Sequence, residues 1–296
     1  MRWLTDPWDW WVAPFVDNPF MRDALIAAVL ATVCTSLVGT WVVLRGLSFL
    51  GDALAHGVLP GIAIAYVAGV NTTVGAVVAA VAMVGGISVI RSSSPLPDDA
   101  SIGVLFVGFL ALAVVVMSAG AATGDLSRFL FGSINAVSRG DLIELGIIAA
   151  VTLTVVVIGH RALLIGTFDT VQARMAGFRP RLTHLALLVL VALSIVASFE
   201  TVGSLLVFAF LIAPPATAAL LARRVVTIMV SAVVIGAASA LVGLLVSYHH
   251  RTASGATMAL TTVVVFTITL GIRRVVIGRA RRSRSTGDAS PTTSMA

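Results

Sequence analysis

The stretch of residues 21–61, MRDALIAAVLATVCTSLVGTWVVLRGLSFLGDALAHGVLPG, decides the fold. Its first part, residues 21–44, is an apolar run long enough to cross a lipid bilayer as a helix, which takes ~20 residues. Its second part opens another apolar segment and carries Asp52 and His56, four positions apart. Ionisable side chains are expensive inside a membrane and usually mark the path of an ion or a substrate. The stretch therefore predicts a membrane protein with a functional site near the start of its second helix.

The composition indicates membrane-spanning structure along most of the chain. Of the 296 residues, 58% are hydrophobic and 11% are charged, and the mean hydropathy is +1.06. Soluble domains carry about 25% charged residues. After residues 21–44, apolar runs of spanning length follow at 54–70, 73–90, 101–119, 141–159, 182–199, 203–222, 226–246 and 256–274. Because some of these runs are short, the sequence predicts an all-α polytopic protein with eight or nine transmembrane helices.

The charge distribution predicts which ends of the helices face the cytoplasm. The net charge of +6 comes from arginine alone, because the chain has no lysine. The arginines cluster between and after the apolar runs, as in cytoplasmic loops, and not in a nucleic-acid-binding face. They place the C-terminus, the Arg223–Arg224 loop and the loop 160–181 in the cytoplasm. Nine spans would then leave the N-terminus outside and eight would leave it inside, which the sequence does not decide.

Three regions follow from these patterns. Residues 1–20 contain Trp3, Trp8, Trp10 and Trp11 and lack the apolar core of a signal peptide, so we expect an interfacial anchor that contacts membrane lipid. Residues 21–278 form the transmembrane domain, including the cytoplasmic loop 160–181. Residues 279–296 are rich in arginine and serine and are expected to be a disordered cytoplasmic tail.

Asp52 and His56 are the leading candidates for an ion site. Residues four apart share one face of a helix, and a carboxylate with an imidazole suits Mn²⁺, Fe²⁺ or Zn²⁺. The absence of a thiolate favours Mn²⁺ or Fe²⁺ slightly over Zn²⁺. The alternative is a helix cap beside a packing histidine. Pro60, shortly after the pair, and Pro214-Pro215 also predict broken helices, which membranes tolerate only beside protein or water.

Two further candidates lie in loops predicted to be outside. Glu200 sits beside a proline-containing span, where it could bind the ion or belong to an outer gate, or could simply be an exposed acid near a helix N-terminus. His249 and His250 are adjacent in the next outside loop. His250 is kept as a weaker candidate for ion capture, against the alternative of plain polar surface.

The cytoplasmic loop contains a short capped helix. Asp169 can cap a helix that stops at Gly177, with Phe168 and Met175 as apolar contact points and Arg174 between them. Such a helix could bind a soluble partner or could lie at the membrane interface. The residues alone leave both alternatives open.

Four stretches in order resemble the metal-ion permease family of ABC importers, the membrane subunits for manganese, iron and zinc uptake. They are Val42-Val43-Leu44-Arg45 with Gly51-Asp52-Ala53-Leu54-Ala55-His56-Gly57-Val58-Leu59-Pro60-Gly61; Phe131-Gly132-Ser133-Ile134 with Val137-Ser138-Arg139; Phe199-Glu200-Thr201-Val202-Gly203 with Leu211-Ile212-Ala213-Pro214-Pro215-Ala216-Thr217; and Ser254-Gly255-Ala256-Thr257. Where this chain has Ala55, the family usually has serine.

The resemblance implies an ABC importer permease fold in the plasma membrane of a prokaryote. It implies a second permease copy (the same chain or a related one), two ABC ATPase subunits and an extracellular metal-binding protein as partners. The positions of Asp52 and His56 line the ion path in the family, and residues 168–178 align with its coupling helix. The Phe-Glu-Thr-Val-Gly sequence around Glu200 resembles manganese- and iron-type members.

The resulting interpretation is a permease subunit of an ATP-driven importer for a divalent transition-metal ion. Mn²⁺ is favoured, with Zn²⁺ or Fe²⁺ next, and the metal is cargo, because no bound cofactor is expected. The chain is not itself an enzyme, since a P-loop needs a lysine that it lacks. The alternative is an ion-coupled secondary transporter that works without partners, whose broken helices would look similar.

Overall fold

The computed structural model describes residues 7–93, 98–119 and 137–287, and these residues form helices and connecting turns without a β-strand. The helices in chain order are α1 (Pro7–Trp11), α2 (Ala13–Asp17), α3 (Pro19–Leu44), α4 (Ser48–Gly57), α5 (Leu59–Val67), α6 (Thr72–Ser93), α7 (Asp98–Ala119), α8 (Arg139–Phe168), α9 (Thr170–Met175), α10 (Pro180–Val202), α11 (Ser204–Leu221), α12 (Val225–His250) and α13 (Ser254–Gly287).

Within these ranges, nine helical segments are long and apolar enough to cross a membrane, with α4 and α5 together forming the second. This confirms the all-α polytopic prediction and the higher of the two predicted helix counts. The N-terminal segment lies against the end of α12: the Trp10 ring stacks on the ring of His249, with centroids 4.1 Å apart, and Asn18 Nδ2 donates to Tyr248 Oη at 3.1 Å. The arginine pattern predicts that this end is outside, as nine alternating spans require for the N-terminus.

Helix α3 is the centre of the fold. It packs against α8, α10, α11 and α12, while α11 also contacts α4 and α13. Its buried face is made mostly of small side chains, which let neighbouring helices approach closely in a membrane protein. The fully buried alanines among them are Ala24, Ala27, Ala28 and Ala31.

The second span is divided, as predicted from Pro60. Helix α4 ends at Gly57 and α5 begins at Leu59, with Val58 as the residue between them. Pro60 occupies the first turn of α5, where its missing N–H costs no intrahelical hydrogen bond. The division separates the short helix that carries Asp52 and His56 from the rest of the span.

The glycines that follow His56 allow the close helix approach that a Gly-x-x-x-Gly pattern predicts. A Cβ atom added to Gly61 would collide with the carbonyl oxygen of Gly75 on α6, and one added to Gly57 would collide with the sulfur of Met83. Helices α5 and α6 are therefore in backbone contact at this level, which holds the divided span in place.

Pro214 and Pro215 lie within α11, which stays continuous from Ser204 to Leu221. Proline at these positions removes the N–H groups that would pair with the carbonyls of Phe210 and Leu211. Ser36 Oγ of α3 donates to the Phe210 carbonyl at 3.3 Å, and the Leu211 carbonyl lies against Gly39 of α3. Contacts from α3 therefore stabilise a helix that the prolines alone were predicted to break.

Three predicted regions fall partly outside the described residues. The first is the N-terminal segment 1–20, of which residues 1–6, with Trp3, are not described. The backbone of α13 continues as helix to Gly287, whereas residues 288–296 are not described, so the disordered tail 279–296 stays a prediction. In the second resembling stretch, residues 131–134 are also not described, and Val137, Ser138 and Arg139 form the start of α8.

Candidate ion-binding site

One face of α4 carries Phe49, Asp52 and His56, at positions i, i+3 and i+7. The opposite side of α4 is fully buried, and a Cβ added to Gly51 there would collide with the side chain of Leu211. The side chains of His56 and Asp52 are only partly covered, at 26% and 27% exposure. Helix α4 is thus fixed from behind by α11 while its ionisable face stays accessible.

The Asp52 and His56 side chains contact each other directly, as their spacing predicts. Nδ1 of His56 lies 3.2 Å from Oδ1 of Asp52 and 3.1 Å from the Asp52 backbone carbonyl oxygen. With two acceptors at Nδ1, a neutral imidazole carries its proton there and leaves the Nε2 lone pair available. A carboxylate or carbonyl that holds the other ring nitrogen in this way orients metal-binding histidines.

A phenylalanine from a different helix completes the surroundings of His56. The ring of Phe106 on α7 meets the His56 ring edge to face, with centroids 6.0 Å apart and an interplanar angle of 88°. It also meets the Phe49 ring, at 5.5 Å and 76°. Phe106 therefore lies over the face of α4 that carries the pair and restricts the tilt of the imidazole. Its role depends on a tertiary contact that the sequence pattern did not reveal.

The pair alone falls short of a complete metal site. In the described ranges, no three His, Cys, Asp or Glu side chains come together in a way that could hold a metal ion. Structural and catalytic zinc sites have at least three protein ligands, and octahedral ions need more ligands in total. One chain thus supplies two donor groups on this helix face, and a metal ion bound here would need further ligands from elsewhere.

The two outer candidates lie at the C-terminal ends of other helices. Glu200 lies in the last turn of α10, but its side chain is outside the described part of the structure, so its role stays a prediction. His250 is the exposed last residue of α12. The neighbouring His249 donates from Nε2 to the Trp10 carbonyl oxygen at 3.2 Å and stacks on the Trp10 ring, which indicates a structural role.

The short helix in the loop 160–181 has the predicted caps. Asp169 Oδ1 accepts hydrogen bonds from the N–H groups of Val171 and Gln172, both at 2.9 Å. At the other end, Gly177 has a φ of 80° and the Phe178 N–H donates to the Ala173 carbonyl. This is a helix ending in which glycine avoids the strain that a side chain would cause at positive φ.

The outer surface of this short helix combines apolar and basic groups. Phe168 and Met175 are 66% and 85% exposed. An open cleft of about 720 Å³ adjoins α9, lined by Arg174, Arg179 and Arg181 together with Gly177, Phe178, Pro180 and Leu182. Exposed apolar anchors beside a group of arginines form a surface suited to a protein partner.

Comparison with known proteins identifies relatives along nearly the whole chain. A model of the ABC 3 transport family matches residues 17–273. A manganese transport system membrane protein of Listeria innocua, MntC, is 37% identical over 249 residues, covering 84% of this chain and 89% of that protein. A protein of Haemophilus influenzae named "Probable iron transport system membrane protein" is 33% identical over 269 residues, covering 91% of this chain and 99% of that protein.

A solved structure supports the same fold. The structure titled "PsaBC from Streptococcus pneumoniae in complex with Fab" contains a chain that is 32% identical to this one and superposes with a TM-score of 0.78. The match covers 87% of this chain and 95% of that chain. The arrangement of the nine spans is therefore shared with that chain.

Proposed function

The chain belongs to the ABC 3 transport family and is a membrane subunit of a metal importer, and we propose that its Asp52–His56 pair binds the transported ion on its way into the cell. We propose further that Mn²⁺ is the preferred ion and that a separate ATPase subunit drives the import. The observation that carries the site assignment is the direct contact between the two side chains on the accessible face of α4.

The unfinished coordination shell supports a second permease copy as a partner. Each chain offers an imidazole and a carboxylate on one face of α4, and the described residues provide no third side-chain ligand there. Two copies that meet across this face would supply four protein ligands, a number that divalent transition metals accept. A symmetric pair of chains is also the commonest form of assembly.

The donor set supports manganese ahead of zinc. Carboxylate ligands suit manganese, imidazole suits iron and zinc, and the thiolates that select zinc are not among the two donors. The single cysteine, Cys34, is buried in α3 and is not part of the site. The Listeria relative is named for manganese and the Haemophilus relative for iron, so Fe²⁺ and Zn²⁺ are the ions to compare with Mn²⁺ in a transport assay.

The short helix α9 is proposed as the docking element for the ATPase subunit, with one subunit on each permease copy. Phe168 and Met175 supply exposed apolar anchors, Arg174 supplies charge, and the caps at Asp169 and Gly177 fix the length of the helix. The opposite end of the molecule, near Glu200 and His250, is where we expect an extracellular metal-binding protein to deliver the ion.

Uptake of radioactive Mn²⁺ by cells that lack other manganese importers tests the site. Asp52→Asn and His56→Ala should each abolish uptake while the variants still assemble in the membrane, because the first removes the negative charge of the carboxylate and the second removes the imidazole donor. Asp99→Asn, at an exposed position in the first turn of α7, is the matched control and should transport normally. Normal uptake by Asp52→Asn would refute the site assignment.

Reconstitution tests the energy source. When the chain is placed in liposomes without any ATPase, Mn²⁺ should not accumulate inside them. If it instead accumulates the ion in response to a proton or sodium gradient, it is a secondary transporter and the proposal of ATP-driven import is wrong.

A further inference from the structure

The turn between α3 and α4 holds Arg45 in a defined position. The Gly46 N–H donates to the Val43 carbonyl at 3.1 Å and the Leu47 N–H donates to the Val42 carbonyl at 3.0 Å. Gly46 has a φ of 70°, which glycine adopts without strain. Arg45 thus lies in a tight helix ending directly before α4, seven residues ahead of Asp52.

The Arg45 guanidinium reaches two other helices at once. Its Nε donates to Thr167 Oγ1 at 3.0 Å, and its Nη1 lies 3.2 Å from Nδ1 of His184. Because guanidinium nitrogens only donate, Nδ1 of His184 is the acceptor in this contact. Thr167 donates its own hydroxyl proton to the Leu163 carbonyl at 2.6 Å, which orients its oxygen towards the arginine.

The two partners of Arg45 lie on the helices that flank α9. Thr167 is in the last turn of α8 and His184 is in the first turns of α10. These are the helices on either side of α9, the short helix proposed to dock the ATPase. One turn earlier on α3, the Trp41 ring meets the His160 ring of α8 at 5.6 Å, so the two helices are also in contact above Arg45.

We propose that Arg45 is a positioning residue that transmits displacement of α9 to α4 and so to the ion site. A shift of α9 carries the ends of α8 and α10 with it. The arginine passes this movement to the turn from which α4 begins, and Asp52 and His56 move as a unit because both lie on that short helix. This inference rests on the proposed function, since it concerns how ATP hydrolysis in the partner reaches the ion.

A simpler account makes Arg45 only a positive charge that keeps this end of the helix in the cytoplasm. The two accounts predict different effects of replacing Arg45 by lysine. Lysine keeps the charge, but its single ammonium cannot reproduce a planar fork that contacts two helices in different directions. Arg45→Lys should therefore preserve insertion and topology and should weaken transmission, whereas a mere topological charge would be replaced without effect.

The test uses the complete transporter, with its ATPase subunits, reconstituted in proteoliposomes and supplied with Mn²⁺. Mn²⁺ uptake and ATP hydrolysis are measured together. Arg45→Lys should retain ATP hydrolysis and assembly and should lower the number of ions moved per ATP at least fivefold, the lower end of the usual coupling between distant sites. Arg223→Lys, at an exposed position in another cytoplasmic loop, is the matched control and should behave as wild type.

A second pair of variants separates transmission from folding. Thr167→Val removes one acceptor of the same contact and should lower the ratio of uptake to hydrolysis by itself, with little further loss when it is combined with Arg45→Lys. Additive losses, a wild-type ratio in Arg45→Lys, or parallel loss of hydrolysis and uptake would overturn the inference. Asp52→Asn is measured alongside. If Asp52→Asn blocks uptake and Arg45→Lys behaves as wild type, only the inference about Arg45 is refuted. If Asp52→Asn transports normally, the proposed ion site is refuted.

Discussion

Replacing Gly39 by alanine tests the contact between α3 and α11 that stabilises the proline-containing helix. A Cβ on Gly39 would collide with the Leu211 carbonyl oxygen, the carbonyl that lacks a helical N–H partner because residue 215 is proline. The atom in the way belongs to the backbone, so no side-chain rotation relieves the overlap. The two helices have to separate to admit the methyl group.

The size of the effect follows from two destabilising contributions and one stabilising contribution. Overpacking of a close contact costs about 1–3 kcal/mol, and the separation also stretches the Ser36–Phe210 hydrogen bond, which is 3.3 Å long and contributes about 0.6 kcal/mol if it is average for a membrane protein. Alanine regains about 1 kcal/mol of helix propensity over glycine. The net loss of unfolding free energy for Gly39→Ala is therefore about 0.5–2.5 kcal/mol.

Thermal unfolding of the detergent-solubilised protein measures this loss. At about 2–4 °C per kcal/mol, the value for chains of 150–250 residues, Gly39→Ala should melt about 1–10 °C below wild type. Gly85→Ala on α6 is the matched control, because a Cβ at Gly85 meets nothing within 4 Å, and it should melt at or slightly above the wild-type temperature. Equal melting temperatures for the two variants would show that α3 and α11 do not rely on this close approach.

Three further predictions concern other contacts. Asp169→Ala should destabilise α9 by about 0.5–2 kcal/mol through loss of its N-cap. The loss should appear as faster amide hydrogen exchange in α9 and weaker copurification of the ATPase. Unchanged exchange would show that the Asp169 cap does not stabilise the helix. Phe106→Leu should raise the KM for Mn²⁺ uptake about 2- to 10-fold, because His56 is held less firmly when an aromatic contact of about 0.5–1.5 kcal/mol is lost. Phe106→Tyr keeps the ring and should stay near wild type. A change in the maximal rate without a change in KM would argue against a positioning role for Phe106. Gly61→Ala should lower the melting temperature, because its Cβ would meet the Gly75 carbonyl, and an unchanged melt would show that α5 and α6 can separate without cost.

Local patterns predicted the features that depend on local geometry. The spacing of Asp52 and His56 was enough to place both on one helix face, since a helix turns once in 3.6 residues. Pro60 predicted the division of the second span, and Asp169 with Gly177 predicted both ends of α9, because caps are decided by a few neighbouring residues. These are interactions between residues that are close in sequence.

Features that depend on partners far along the chain were not predictable in the same way. The interpretation of Pro214-Pro215 as a break missed that Ser36, 174 positions away in sequence, donates to the Phe210 carbonyl. Phe106 has the same apolar character as the other residues of its span, so nothing in the sequence marks it as the neighbour of His56. Sequence periodicity shows which face of a helix is apolar, but it does not show which helix covers that face.

The two-donor character of the site has a consequence for release of the ion. A transport site must bind strongly enough to take up its ion and weakly enough to let it go. Within one chain, His56 Nδ1 and Asp52 Oδ1 satisfy each other at 3.2 Å, so the pair is stable without metal. If the other ligands come from a second copy, affinity exists only while the two α4 helices face each other at coordination distance. A displacement of α4 by an ångström or two then exceeds the narrow range of metal–ligand distances, and the ion is released without breaking any covalent or intrahelical contact.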